Sequence, residues 1–409
     1  MLDTTTRTRN AFQETMVGLT FSLHQECDLF SRACVEQFHA GDFAHYGYRF
    51  AQVFEANVLR EVALLDDLPY EDLAELRHRP SEATARLGEL ADNVADLSVV
   101  ESVNVAAALI SISRFGPAAR ILHRVEERAE QSRDVFEVAM LRFVVANRCE
   151  DGPATAHAFR RMRRAIESGP LPADRVLDAC AQAVVWYMKR RDLPTADFRW
   201  YATTGRQVAR QPRGVGAGSL SAWYRALAMV PAARGKAELT RRYMEFTRDT
   251  AAHSLMRRPQ AYEAHFLKTY HESSLKEHMY VTRDADQAEE SGLALIALDP
   301  AWSPSYGELA EAHVLFGRLE AAAALYEKAV EIGPPYYGHH LLRAADVRER
   351  LGDDERALEH YQHLTALVPG DRTVLRRGLD VARRSSHPAR AAHFRRLLDQ
   401  SRTATGEAT

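Results

Sequence analysis

The chain has 409 residues, 46% of them apolar and 27% charged, enough to bury a large core. A formal net charge of -3 argues against a global electrostatic grip on nucleic acid. No run approaches the length of a membrane span, and MLDTTTRTRN lacks the apolar core of a signal peptide. The expectation is a cytoplasmic protein with no membrane partner, whose cysteines (Cys27, Cys34, Cys149 and Cys180) form no C-x-x-C pair and stay reduced.

Residues 1–10 and 401–409 are polar, lack a hydrophobic period and are predicted as disordered tails. Between them, apolar residues recur at helical spacing. Gln13 to Glu36 and Ala44 to Leu65 form a first helical hairpin about the Gly41-Asp42 turn, and 66–80 reads as an acidic, proline-bounded loop. From Leu97 the unit recurs, with turns at Gly116-Pro117, at 150–153 and at 192–194. The glycine-rich stretch 211–219 is a loop by composition, and a further hairpin turns near Pro231 to Gly235. Residues 11–260 are therefore predicted as loosely repeating hairpins. The stretch 259–280, with Tyr262, His265, Tyr270, His271, His278 and Tyr280, breaks the rhythm, and 261–400 then becomes a regular array.

The regular part is set by three prolines that end apolar runs: Pro300, Pro334 and Pro369, separated by 34 and 35 residues (334−300 and 369−334). In 303–336, Tyr306, Leu309, Ala310 and His313 precede a Gly317 turn, then come Ala322, Tyr326, Ala329 and Pro334. In 338–371 the set is Leu341, Ala344, Ala345, Gly352, Ala357, Tyr361, Leu364 and Pro369. In 269–302 it is Leu275, Met279, Ala288, Leu295 and Pro300, with Arg283 in place of the turn glycine. This pattern resembles the tetratricopeptide family, strongly over about 269–400 and loosely before. The resemblance implies an all-α fold, a right-handed superhelical solenoid of antiparallel helix hairpins. Small residues at Ala322 and Ala357 let the second helix approach the first, and Tyr326 and Tyr361 fill the space behind them.

Other motifs weigh less. His271 and His278 are seven apart, roughly 10 Å along a helix, with Ser274 and Leu275 supplying no ligand between them, so no metal site is predicted. Glu36/His39 and Glu75/His78 are read as chance spacings rather than a di-iron set. His360 and His363 are placed on an outer, solvated helix face. The arginine runs (Arg160, Arg161, Arg163, Arg164, and Arg376, Arg377, Arg383, Arg384, Arg395, Arg396) read as solvated faces. An acidic partner at the C-terminal end is the alternative, and no DNA-binding module supports nucleic acid. No phosphate-binding, dinucleotide-binding or nucleophile-elbow motif occurs, so no cofactor is predicted.

In the family, the first helix of each hairpin lines a concave groove. By that resemblance the groove would present Tyr270, Ser273, Glu277, Tyr280, Glu311, His339, Asp346, Glu349 and Arg350, an acid-leaning wall suited to a polar or basic protein or peptide. Ser273, Gly307 and Leu342 replace the residues of a carboxylate clamp. The leading reading is a scaffold or adaptor, more a binder than an enzyme. The alternatives are a peptide-sensing regulator, or an accessory protein or enzyme of a bacterial biosynthetic pathway with a site near 253–280. The oligomeric state is left open.

Overall fold

A computed structural model describes residues 90–404 apart from 91, 112–114, 150, 191–195, 212–213, 258–260, 299, 301–302, 333–335 and 368–369. Every regular element among them is helical. The α-helices pair as consecutive hairpins: α1 (Val99–Ser111) with α2 (Phe115–Glu126), α3 (Ser132–Arg148) with α4 (Gly152–Ser168), and α5 (Ala173–Arg190) with α6 (Ala196–Ala209). They continue as α7 (Ala217–Ala232) with α8 (Ala237–Arg257), and α9 (Ala261–Glu277) with α10 (Ala285–Leu298). The last three pairs are α11 (Ser303–Leu315) with α12 (Leu319–Ile332), α13 (Tyr337–Leu351) with α14 (Asp354–Leu367), and α15 (Arg372–Arg384) with α16 (Pro388–Ala404).

Contact then passes from each hairpin to the next. Helix α8 packs on α9, α10 on α11, α12 on α13 and α14 on α15. Odd helices also touch one another, α1 with α3, α5 with α7, α7 with α9 and α9 with α11, and no two consecutive even helices among the described residues meet to that extent. Between α5 and α11 the odd helices crowd together while the even helices are splayed apart, which puts the odd helices on the inside of a curve there. The molecule is an all-α solenoid of antiparallel hairpins, each buried against its neighbours.

Local chemistry sets the turns. Gly317 and Gly352 take left-handed backbone with φ of 76°, which glycine adopts without a Cβ clash. Arg283, the residue read as replacing the turn glycine, adopts the same conformation at φ 57°. Asp151 caps α4 by accepting from Ala154 N at 2.9 Å. Asp371 caps α15 by accepting from Thr373 N and Val374 N, each at 2.9 Å.

The core changes character along the chain. Between α3 and α7 it is aromatic: Phe159 sits 4.8 Å from Phe143, 5.5 Å from Trp186 and 5.7 Å from Tyr201, ring centre to ring centre, and the Tyr201 hydroxyl donates to the Phe159 carbonyl at 2.6 Å. From α11 onwards the small–large pairs take over, with Ala322, Tyr326, Ala357 and Tyr361 all buried. Large rings in the first part replace the alanine-against-tyrosine rhythm, which is why that part repeats only loosely in sequence.

Several boundaries differ from expectation. Gly116-Pro117 lies in the first turn of α2, where a missing N–H costs nothing. Pro231 lies inside α7, and 217–219 start α7 rather than belonging to a loop. The C-terminal helix runs to Ala404, into the stretch read as a tail. The tail 1–10, the first hairpin, the 66–80 loop, Cys27, Cys34, both Glu-x-x-His strings and 405–409 lie outside the described residues.

Glycine also permits close helix approaches. A Cβ at Gly307 would lie 2.6 Å from His340 Nε2, and one at Gly378 would lie 2.5 Å from the Phe394 ring. Gly307→Ala is therefore expected to destabilise the array by about 1–3 kcal/mol through overpacking of the α11–α13 seam. Urea titration followed by circular dichroism measures this, and an unchanged midpoint would mean that the seam is looser than described.

Candidate functional site

The inner wall carries two series of charged residues in register with the repeat. Lys276 on α9, Glu311 on α11 and Asp346 on α13 are each 35 apart (311−276 and 346−311). Glu308 on α11, Arg343 on α13 and Arg377 on α15 follow at 35 and 34 (343−308 and 377−343). Each member of the first series meets the next helix's member of the second. Lys276 pairs with Glu308 and also reaches Glu311 at 3.0 Å. Glu311 lies in the field of Arg343. Asp346 accepts from Arg377 at 2.9 Å. The wall extends N-terminally through Glu272, held by Lys268 at 2.9 Å and within electrostatic reach of Arg225 on α7. At the other end, Glu349 accepts from the Tyr361 hydroxyl at 3.0 Å, from Arg377 at 3.1 Å and from Arg384 at 3.0 Å.

Burial and pairing set the protonation states. Burial alone would lower the Lys276 pKa, but Glu308 and Glu311 raise it above the ordinary range, so it stays a cation. Burial raises Glu308 despite Lys276. Glu311 also feels burial, but Lys276 and the Tyr280 hydroxyl, 3.1 Å away, hold it below the usual range. Glu308 is thus the member of the trio that takes a proton first.

Of the residues expected on the wall, Tyr280, Glu311, Asp346 and Glu349 are in this network. Tyr270 packs edge-on against His271, with ring centres 5.0 Å apart. Ser273 and His339 are half-buried, and Arg350 is exposed. Glu277 is a correction: it is buried, and its carboxylate lies 3.3 Å from Arg241 on α8, away from the wall charges.

The cause is a π-helical turn, His278–Thr282, ending in left-handed Arg283. A π turn holds one residue more than an α turn, so a register counted back from Arg283 slips by one upstream. The wall positions are Glu272 and Lys276, not Ser273 and Glu277. The broken rhythm at 259–280 was the sequence's only signal of this.

The acid-leaning wall is also corrected. Its acids are met by Lys276, Arg343, Arg377 and Arg384 from neighbouring positions, so the surface is close to neutral. His360 is not solvated: its Nε2 lies 3.4 Å from Glu327. Burial would raise the Glu327 carboxyl, but hydrogen bonds from His360 and Arg348 hold it down at about 2. His271 and His278 do not converge either, since His278 faces Arg241 at 2.8 Å. No group of three or more potential metal ligands occurs among the described residues, nor any helix long and apolar enough to cross a membrane.

No family model and no curated protein matches the chain. Among solved structures it is similar to the apo form of RapI, at 10% identity over 76% of this chain and 99% of that one, with a TM-score of 0.41. It is also similar to a monomeric mutant of IFIT1 determined with Gppp-AAAA, at 13% identity over 97% and 90%, with a TM-score of 0.43. A circular tandem repeat protein of novel topology matches at 13% identity over 91% and 96%, with a TM-score of 0.23. The solenoid assignment rests on the chain's own helix order and contacts.

Two predictions test the wall and the seam behind it. Lys276→Met leaves Glu308 and Glu311 facing each other. Because the Lys276 side chain is 37% exposed, the loss at pH 7 is expected to be only about 1–2 kcal/mol. It should shrink towards pH 5, because a carboxyl whose folded pKa is raised loses stability as pH rises and regains it as pH falls; a loss that grows with acidity would refute this.

His340 behaves oppositely. It is 2% exposed, and burial depresses its pKa to about 3. Folding excludes a proton that the unfolded chain binds below about 6.5, so its contribution is intact above that pH and falls away as pH drops towards 3. At pH 5 the cost is about 2 kcal/mol. Denaturation of wild type and His340→Gln at pH 7 and pH 5 should show a smaller pH-dependent loss in the variant; equal losses would remove His340 as the cause.

Proposed function

We propose that the chain is a tetratricopeptide-type adaptor that receives an extended segment of a partner protein along its inner wall. The single observation that supports this is the continuous polar stripe from Arg225 to Arg377 across five successive odd helices. A stripe of that length suits a ligand that runs along the solenoid axis and contacts every repeat.

Because the charges are paired internally, the wall holds its geometry before a partner arrives, and preorganisation lowers the cost of binding. Near-neutrality also specifies the partner. A strongly basic or acidic segment would have to break existing pairs, whereas an uncharged extended segment can lie along the wall without displacing them.

Photo-crosslinking tests the reading in cells. A benzophenone amino acid at Tyr280, on the wall, is expected to trap one defined polypeptide. The same group at Glu359, exposed on the even helix α14, should trap none, and Arg343→Glu should abolish the Tyr280 adduct. No adduct from Tyr280, or equal adducts from both sites, would overturn the proposal.

A further inference from the structure

The π turn His278–Thr282 follows directly on α9, and a guanidinium from α8 ties it down. Arg241 Nη2 lies 2.8 Å from His278 Nε2, and Arg241 Nε lies 3.3 Å from a Glu277 oxygen. Both partners are buried, each 4% exposed. Neither Glu277 oxygen accepts a hydrogen bond among the described residues, so its charge rests on the Arg241 ion pair.

This contact fixes the protons of the imidazole. A guanidinium donates and cannot accept, so Nε2 is the bare nitrogen and Nδ1 carries the hydrogen. Nδ1 then donates to Thr282 Oγ1 at 3.0 Å, bridging the two ends of the π turn. The ring is therefore neutral while Arg241 is in place. A proton added at Nε2 would set one N–H against another and one cation against another, and the arginine contact could not survive it.

The surrounding charges are few. Arg241 and Glu245 face the pair from α8, and Asp284 and Glu290 face it from the α10 side. Burial, and after it Arg241, lowers the His278 pKa, whereas burial raises that of Glu277. His278 sets the sign. Its folded value lies below the unfolded one of about 6.5, so the tie is intact above that pH and is lost as pH falls. Glu277 opposes this in part, because a carboxyl with a raised folded pKa gains stability as pH falls.

We infer that Arg241, Glu277 and His278 form an acid-sensitive latch between α8 and the π turn, closed at neutral pH and released when His278 takes a proton at Nε2. Release frees the turn that sets the register of Glu272 and Lys276. The latch does not depend on what occupies the inner wall.

Hydrogen exchange read by mass spectrometry on the full chain tests it, at pH 7.5 and pH 5.5 and corrected for intrinsic exchange rates. The reporters are Arg283 and Asp284, whose amides donate to the His278 carbonyl. An opened His278 titrates near its ordinary value, so opening is expected to rise by up to about tenfold at the lower pH. His278→Gln keeps an acceptor for Arg241 and a donor for Thr282 but cannot titrate, so its exchange should be the same at both values. Arg241→Met should open the turn already at pH 7.5, with α13 and α14 as protected as in wild type. An acid-induced rise of equal size in His278→Gln would overturn the inference. So would wild-type exchange that does not change with pH, or an Arg241→Met turn as protected as the wild-type one.

Discussion

Among the described residues no helix covers its own apolar face, and no hairpin does either. Tyr326 is buried only because α12 leans on α11 and accepts α13, and Tyr361 repeats the arrangement one hairpin later. A buried side chain of this size contributes on the order of 1.5–3 kcal/mol, realised only when the neighbouring hairpin is present. Folding is thus a matter of adjacency, and every other feature depends on consecutive hairpins meeting in one register. The curve follows directly, since small contacts such as Gly307 against His340 draw the odd helices together.

Curvature explains why the inner wall is polar. Odd helices brought close enough to touch would bury charge at an energetic loss unless each charge met its opposite. The pairing is made between repeats rather than within them. Lys276 reaches forward to Glu308 and Asp346 reaches forward to Arg377. Two residues per repeat, at fixed positions, suffice to neutralise the wall along its length. Behind it, His340 and His339 are kept neutral by burial, so the layer under the wall adds no competing charge.

Much of the architecture was legible in the sequence. Spacing of the prolines, Ala322 and Ala357 before Tyr326 and Tyr361, and the turn glycines Gly317 and Gly352 report directly on helix ends and helix approach, which are local properties. What was illegible was non-local or rotational. The π turn adds one residue without changing composition, and it turned Glu277 from the wall towards Arg241. Pairing of the wall acids required knowing which arginines return from the next repeat: Arg377 and Arg384 read as part of a solvated run, yet Arg377 is part-buried on Asp346 and Glu349, and Arg384, though exposed, pairs with Glu349 and Asp354. His360 was misplaced for the same reason, since its carboxylate partner sits 33 residues away.

Ion pairs of this kind add little stability compared with apolar contacts of equal volume, so their value here lies in discrimination. Apolar seams built from alanine, leucine and tyrosine are similar from one repeat to the next, and similar surfaces tolerate sliding. The charges do not. If α13 slid by one helical turn against α11, Asp346 would replace Arg343 beside Glu311, and two carboxylates would face each other in a half-buried setting. Repulsion of that kind penalises the wrong register more than the pair rewards the right one. The wall charges therefore fix which stacking the apolar residues settle into, and a surface held in one register is also one that can present the same polar pattern to a ligand at every repeat.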